Sequence, residues 1–135
     1  MNNGRFATAL HILTLLARQE QELLSSEYIA GSININPVLV RKEISNLRNH
    51  GLIQSREGKN GGSSLAKPAA KILLSDIYKA VRQTALLGRS NDPNPNCPVG
   101  KNINTHIQNL YEEAEDALTR KLGTLTLADF TNRFS

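Results

Sequence analysis

Apolar residues near the N-terminus recur every three or four positions, which is the spacing of one face of an α-helix. The residues on this face are Phe6, Leu10, Leu13 and Leu16. After a polar stretch, Ile29 and Ile33 mark the buried side of a second, shorter helix, with Ser25 or Ser26 as its expected cap. The pattern therefore predicts two helices ahead of the Asn36-Pro37 pair.

A third helix is predicted to begin at this pair, because Asn caps a first turn and Pro loses no needed amide hydrogen there. It is expected to span residues 37–50, and Gly51 is expected to end it in the left-handed conformation. At 100° per residue, its apolar back consists of Val40, Ile44 and Leu47. The opposite side carries Val38, Arg41, Lys42, Ser45 and Asn49, with Arg48 at the edge.

Two segments of strand character, 52–56 and 63–67, flank a glycine-rich loop at 57–62. Gly58, Gly61 and Gly62 are expected to supply the positive φ angles of a hairpin loop. A short helix, a turn, a second helix and a glycine-tipped hairpin follow one another in a winged helix-turn-helix. The hairpin at 52–67 is therefore predicted to be the wing.

The second half of the chain predicts three further helices. Ser75 is expected to cap a short helix over 75–83, and a Pro/Asn-rich loop surrounds Cys97. A long helix is expected over 101–122, and Gly123 ends it. Its apolar stripe consists of Ile103, Ile107, Leu110, Ala114 and Ala117. Thr126 and Asp129 then predict a capped short helix.

The predicted fold is mostly α, a winged helix-turn-helix with a two-stranded wing and a long C-terminal dimerisation helix. We divide the chain into a winged helix-turn-helix domain (1–83), a Cys-containing loop (84–100) and a dimerisation helix with a closing short helix (101–135).

Positive charge is concentrated in the predicted third helix, the wing and the few residues that follow the wing. The 135 residues carry a net charge of +4, while residues 41–71 alone contain seven Lys or Arg against two Glu. A localised basic surface is typical of proteins that bind a polyanion, because Lys and Arg displace counterions from phosphate. A solvated basic face is the alternative that charge by itself leaves open.

The pattern of donors predicts binding to double-stranded DNA through the major groove. Arg41 and Lys42 are suited to guanine, and Val38 and Leu39 to a thymine methyl. Residues further along the helix are expected to contact phosphate, and the wing to enter a minor groove or follow the backbone. The predicted DNA-contacting residues are Asn36, Val38, Leu39, Arg41, Lys42, Ser45, Arg48, Asn49, Arg56, Lys59 and Asn60.

Two other functions remain open at this point. A winged helix can act as a protein-interaction module that does not bind DNA, and an enzyme could have a site too scattered to form a motif. The enzyme has little support, because the chain has no nucleophile motif or convincing acid–base pair, and its glycine-rich loop lacks the ending of a phosphate-binding loop.

The sequence resembles the Rrf2 family of bacterial transcriptional regulators over essentially its whole length. The resemblance rests on "GRFATALHILTLLA", "YIAGSININPVLVRKEISNLRNHGLI", "REGKNGGSSLAK", "ILLSDIYKAV" and "TLTLADF". It implies a homodimer in which the long helices of two subunits pack together and two recognition helices meet a palindromic operator. We expect a transcription regulator acting as a repressor; the sequence does not identify a small-molecule effector.

Two departures from the family pattern matter. Many members hold a [2Fe–2S] cluster with three cysteines in the loop before the long helix. In this chain that loop contains only Cys97, and the nearest other candidate ligands are Asp92, His106 and Glu112. We therefore expect no cluster or other cofactor. Members often have an acidic residue at the position of Arg41 and an arginine at that of Glu57, so operator sequences do not carry over from relatives.

Cys97 is either a redox sensor, by mixed disulfide or by pairing between subunits, or a thiol of no consequence. The three histidines, His11, His50 and His106, lack metal-ligand spacing. The acidic run Glu112, Glu113, Glu115 and Asp116 is expected to be a solvated helix face. With no apolar run of membrane length, no signal-peptide pattern and one cysteine, the expected location is cytoplasmic.

Overall fold

The computed structural model describes residues 4–82, 87 and 89–134, and most of them are helical. The helices are α1 (Arg5–Arg18), α2 (Ser26–Ile33), α3 (Pro37–Asn49), α4 (Leu74–Val81), α5 (Pro98–Leu122) and α6 (Leu127–Thr131). The strands are β1 (Ile53–Arg56) and β2 (Gly62–Leu65), and short 3-10 turns lie at Ala69–Lys71 and Asn132–Phe134. The predicted mostly α fold with a two-stranded wing is confirmed.

The hydrophobic core is built around α1, which packs against α3, α4 and α6. Ile12 and Leu13 are completely buried, and Leu16 nearly so. The C-terminal segment closes the same core, because Leu127 of α6 is fully buried in it and donates its amide hydrogen to the Ile72 carbonyl at 2.8 Å. The residues before α4 and those before α6 are therefore neighbours.

Local sequence signals set the ends of α2 and α3. Ser25 caps α2 by accepting a hydrogen bond from the Tyr28 amide. Asn36 Oδ1 accepts one from the Val38 amide at 2.8 Å, and Pro37 occupies the first turn of α3, as predicted. The helix ends at Asn49, one residue earlier than expected, with His50 as its cap. Gly51 then has φ +76°, which confirms the left-handed stop.

The wing is an antiparallel hairpin with Ile53 opposite Leu65 and Arg56 opposite Gly62. Gly58 lies at its tip with φ +103°, a conformation that favours glycine. Gly61 does not have the predicted positive φ. It is constrained instead by space, because a Cβ atom there would collide with the carbonyl oxygen of Arg56.

The start of α4 differs from the prediction. Its cap residue is Leu73, whose amide donates to Asp76 Oδ2 at 2.9 Å, so Asp76 rather than Ser75 satisfies the free backbone group. Ser75 is buried within the first turn. The helix ends at Val81. The predicted end at residue 83 and the predicted boundary between residues 83 and 84 lie outside the described residues.

The long helix α5 begins at Pro98, three residues before the predicted start, so it takes in the end of the segment expected to be a loop. Pro suits a first helical turn for the same reason as in α3. None of the 25 residues of α5 is buried. Thr126 and Asp129 form the predicted reciprocal cap of α6. Within the described part of the chain, no helix combines the length and apolar character needed to cross a membrane.

Candidate nucleic-acid interface

Helix α3 has the two faces that the sequence predicts. Val40, Ile44 and Leu47 are buried against the core. On the outer side, Val38 is 58% and Leu39 is 54% exposed. Four of the polar residues predicted on this side are also exposed, namely Arg41, Lys42, Arg48 and Asn49. The fifth, Ser45, is half-buried. Large apolar side chains at the exposed N-terminal turn are unusual for a solvated helix and suit contact with base edges.

Arg41 contacts α2, a relationship that the sequence did not indicate. Its Nη1 atom lies 3.4 Å from Glu27 Oε2, with the Arg41 and Glu27 side chains 52% and 73% exposed. An exposed pair of this kind contributes little to stability, about 0–1 kcal/mol. It therefore leaves the guanidinium able to exchange its carboxylate partner for DNA.

Arg48 joins the helix to the wing. Its Nη1 atom donates to Ser55 Oγ at 3.1 Å, and Ser55 Oγ lies 3.1 Å from the hydroxyl of Ser63 across the hairpin. Ser63 is buried and its amide donates to the Leu24 carbonyl at 2.9 Å. Arg48, predicted to contact phosphate, therefore also holds the wing against the C-terminal half of α3.

The predicted wing contacts Arg56, Lys59 and Asn60 are all exposed, around the turn that Gly58 permits. Asn36 is exposed as well, and its side-chain oxygen is engaged in capping α3. The side-chain amide nitrogen is the part of Asn36 suited to donate to a phosphate. The predicted contact residues thus lie on two adjacent elements, α3 and the wing.

A buried ionic network behind α3 was missed from the sequence, where Glu43 entered only the count of charges over residues 41–71. Glu43 is only 6% exposed and accepts hydrogen bonds from Arg5 and Asn46. A signal was present in the sequence, since Glu43 lies three residues after Val40 and four before Leu47, at apolar-face spacing.

Cys97 is exposed and occupies the cap position of α5. The backbone amides of Gly100 and Val99, in the first turn of α5, lower the pKa of the thiol. Helix N-termini stabilise a thiolate in this way, which makes the cysteine more reactive near neutral pH. No cation adjacent to Cys97 in the sequence indicated this effect, which arises because α5 begins at Pro98.

No cluster of three or more His, Cys, Asp or Glu side chains suited to a metal ion is found in the described ranges 4–82, 87 and 89–134. Asp92, His106 and Glu112, the nearest candidate ligands in sequence, therefore do not form such a set with Cys97.

Comparison with known proteins identifies the family and the general function of this chain. A family model described as "Rrf2: Iron-dependent Transcriptional regulator" matches residues 2–133. The chain belongs to the Rrf2 family. Members of this family are transcriptional regulators, so the predicted function as a DNA-binding regulator and the absence of an enzymatic role are confirmed.

Individual proteins are similar to this chain over nearly its full length. YwnA of Bacillus subtilis (strain 168), provisionally named an HTH-type transcriptional regulator, is 41% identical over 133 residues, covering 98% of each chain. The crystal structure of a Lactobacillus plantarum protein, provisionally described as a transcriptional regulator, superimposes with a TM-score of 0.80 at 27% identity, covering 96% of this chain and 88% of that one. CymR of Staphylococcus aureus gives a TM-score of 0.71 at 25% identity, covering 96% of each chain.

The iron dependence in the family description does not fit this Rrf2 chain. Iron–sulfur clusters are held mainly by cysteine thiolates, and the whole sequence contains one cysteine. The residues present therefore do not match the ligand set of a [2Fe–2S] cluster. A cluster-free protein stays a prediction.

Proposed function

We propose that this Rrf2 protein is a homodimeric repressor that binds a palindromic operator, with α3 in the major groove and the wing on the adjacent backbone or minor groove. The observation that carries the proposal is the outer face of α3. It combines exposed cations with exposed apolar side chains, while its back is buried in the core. Arg41 and Lys42 donate to base edges, and Val38 and Leu39 contact thymine methyl groups.

The exposure of α5 supports the homodimer. This 25-residue helix has no buried residue, and Val99 and Leu110 are 65% and 58% exposed. Ile107 and Ala114 are only partly covered by their own subunit. Packing against the α5 helix of a second copy would cover this stripe, and the small side chains of Ala114 and Ala117 would allow close approach. Two α3 helices would then be presented to two half-sites of DNA.

Repression is the simpler outcome of such binding. A dimer that occupies promoter DNA blocks polymerase without any further contact, whereas activation also requires a surface that recruits polymerase. The activity is cytoplasmic in this proposal, because operator DNA is there. The protein acts without an iron–sulfur cluster, so anaerobic purification with added iron should give a colourless protein.

The test is selection of tight-binding duplexes from a randomised DNA library, followed by affinity measurements at several salt concentrations. We expect a palindromic consensus and an affinity that falls steeply as salt rises, with a slope set by the number of phosphates contacted. Failure to enrich any sequence, with weak binding at low salt, would favour the protein-interaction module instead. A reporter gene under the selected operator distinguishes repression from activation.

A further inference from the structure

The recognition helix is held from behind by a buried carboxylate. Arg5 Nε lies 3.0 Å from Glu43 Oε1, and Arg5 Nη2 donates to Glu43 Oε2 at 3.4 Å. Asn46 Nδ2 donates to the same Oε2 at 2.9 Å. The Glu43 side chain is 7% exposed, so the carboxylate is held at the buried end of these contacts, while the Arg5 side chain reaches the surface at 40% exposure.

The same network reaches α4. Asn46 Nδ2 also lies 2.9 Å from the carbonyl oxygen of Ala80, in the last turn of that helix. Glu43 and Asn46 therefore tie α3 to the start of α1 and to the end of α4. Arg5 is 38 residues from Glu43 in the sequence, and Ala80 is 34 residues from Asn46.

Stability alone does not account for a charge at this position. Removing a carboxylate from water is costly, and replacing a buried ionic group with an apolar one of similar volume is often neutral or stabilising. The apolar contacts of Val40, Ile44 and Leu47 already attach α3 to the core. Apolar contacts are not directional, so they tolerate small rotations of a helix about its axis.

We propose that Glu43, assisted by Asn46, is a positioning residue that sets the rotation of α3 and thereby aims Arg41 and Lys42 at the base edges. On a helical projection, Glu43 and Asn46 lie about 60° and 120° to one side of Val40, and Arg41 lies about 100° to the other. A rotation of about 20° would displace a side chain at a radius of about 6 Å by about 2 Å. That displacement is enough to break a base contact, because hydrogen bonds weaken steeply beyond their ordinary distance.

This inference rests on the proposed function, and the experiment separates the two. The probes are the duplex that wild-type protein selects from a randomised library and a scrambled duplex of the same composition. The variants are Glu43→Met, which removes the charge at similar volume, and Glu43→Gln, which retains the shape and one acceptor. Because the Arg5 side chain is 40% exposed, it can reach water in either variant.

Thr14→Val is the matched control. Thr14 is likewise a buried polar residue, 7% exposed, but its hydroxyl donates to the Leu10 carbonyl within its own helix, α1. It reports what the removal of any buried polar group does to binding.

We expect Glu43→Met to melt at the wild-type temperature or above it and to bind the selected duplex about tenfold more weakly, as the loss of one base contact does. Its affinity for the scrambled duplex should stay unchanged, since phosphate contacts tolerate small rotations. Glu43→Gln should recover part of the loss, and Thr14→Val should keep the wild-type ratio of the two affinities.

A wild-type affinity ratio in Glu43→Met would overturn the inference while leaving the proposed function intact. If Glu43→Met does not fold, the ratio in Glu43→Gln decides in the same way. If wild-type protein selects no duplex at all, the proposed function fails and this inference fails with it.

Discussion

Arg82 Nη1 lies 2.8 Å from Glu115 Oε1, so the residue that follows α4 is tied to the long helix α5. Tyr78 of α4 donates its hydroxyl to the second oxygen of the same carboxylate at 3.2 Å. Glu115 was expected on a solvated acidic face, but its side chain is only 27% exposed. That expectation was wrong for Glu115, because α4 covers this part of α5.

Glu115→Ala should lower the free energy of unfolding by about 1–2 kcal/mol, since two hydrogen bonds to a partly exposed charge are lost. Urea denaturation measures the change. Glu112→Ala, on an exposed position of the same helix, is the control and should stay within about 0.5 kcal/mol of wild type. Equal losses in the two variants would mean that the contacts to α4 contribute nothing.

The contact between Tyr78 and Glu115 makes the stability of the folded protein depend on pH. Burial, and after it the neighbouring Glu115 carboxylate, raise the pKa of Tyr78 above 10.0. The neutral phenol is therefore favoured in the folded protein, and its contribution to stability is complete below pH 10.0 and lost as pH rises through the raised pKa. Tyr78→Phe should remove this alkaline dependence, which denaturation at several pH values would show.

Leu110→Asp should convert the protein into monomers, because a carboxylate at the 58%-exposed Leu110 would be buried between paired helices. Ile107→Asp should do the same. Sedimentation at micromolar concentration checks both. Asn109→Asp adds the same charge at the next, exposed position, away from the apolar stripe, and should remain dimeric. A wild-type protein that sediments as a monomer would remove the basis of the proposed interface.

Arg41→Ala should weaken binding to the selected operator by about 1–3 kcal/mol and relax the base preference at one position. The reason is the loss of a donor at the exposed front of α3, and affinities for single-base operator variants measure it. Glu27→Gln is a useful comparison, because it removes the carboxylate next to Arg41 but leaves the guanidinium in place. The prediction fails if Arg41→Ala/Lys42→Ala binds with wild-type affinity.

Lys59→Ala should weaken binding to all sequences alike and lower the slope of log affinity against log salt by about one. The wing loop is exposed and basic, which suits contact with phosphate. Glu57→Gln on the same loop, which removes an opposing charge, should strengthen binding slightly. A sequence-selective loss in Lys59→Ala with an unchanged slope would show that the wing reads bases.

Cys97 should be alkylated by iodoacetamide faster at neutral pH than the same thiol in urea-unfolded protein. The amides of Gly100 and Val99 lower its pKa only when α5 is formed, so the folded protein holds more thiolate at a given pH. Rates measured across pH give the pKa in each state. Operator binding of wild type and Cys97→Ser with and without oxidant then shows whether the thiol is sensed; identical responses would make it a bystander.

The sequence alone determined the features that depend on neighbours along the chain. Asn36 and Pro37 start α3, Gly51 stops it, and Gly58 turns the wing, because caps and left-handed turns are set by the residues that adopt them. The apolar back of α3 followed from spacing, since a helix brings every third or fourth residue to one face. The family could be identified for the same reason, as its motifs are runs of adjacent residues.

Tertiary structure decided the polar contacts between elements. Glu43 entered the sequence analysis only as a charge to be counted, and it is buried against Arg5, 38 residues earlier. Glu115 was expected to be solvated, and it bonds to Arg82, 33 residues earlier. Whether a carboxylate lies in water or in a network depends on which helices pack around it, and no local spacing encodes that. The apolar residues of α5 are the converse case. The sequence shows their stripe and predicts a dimerisation helix, and the packed chain shows that its own core buries none of these residues.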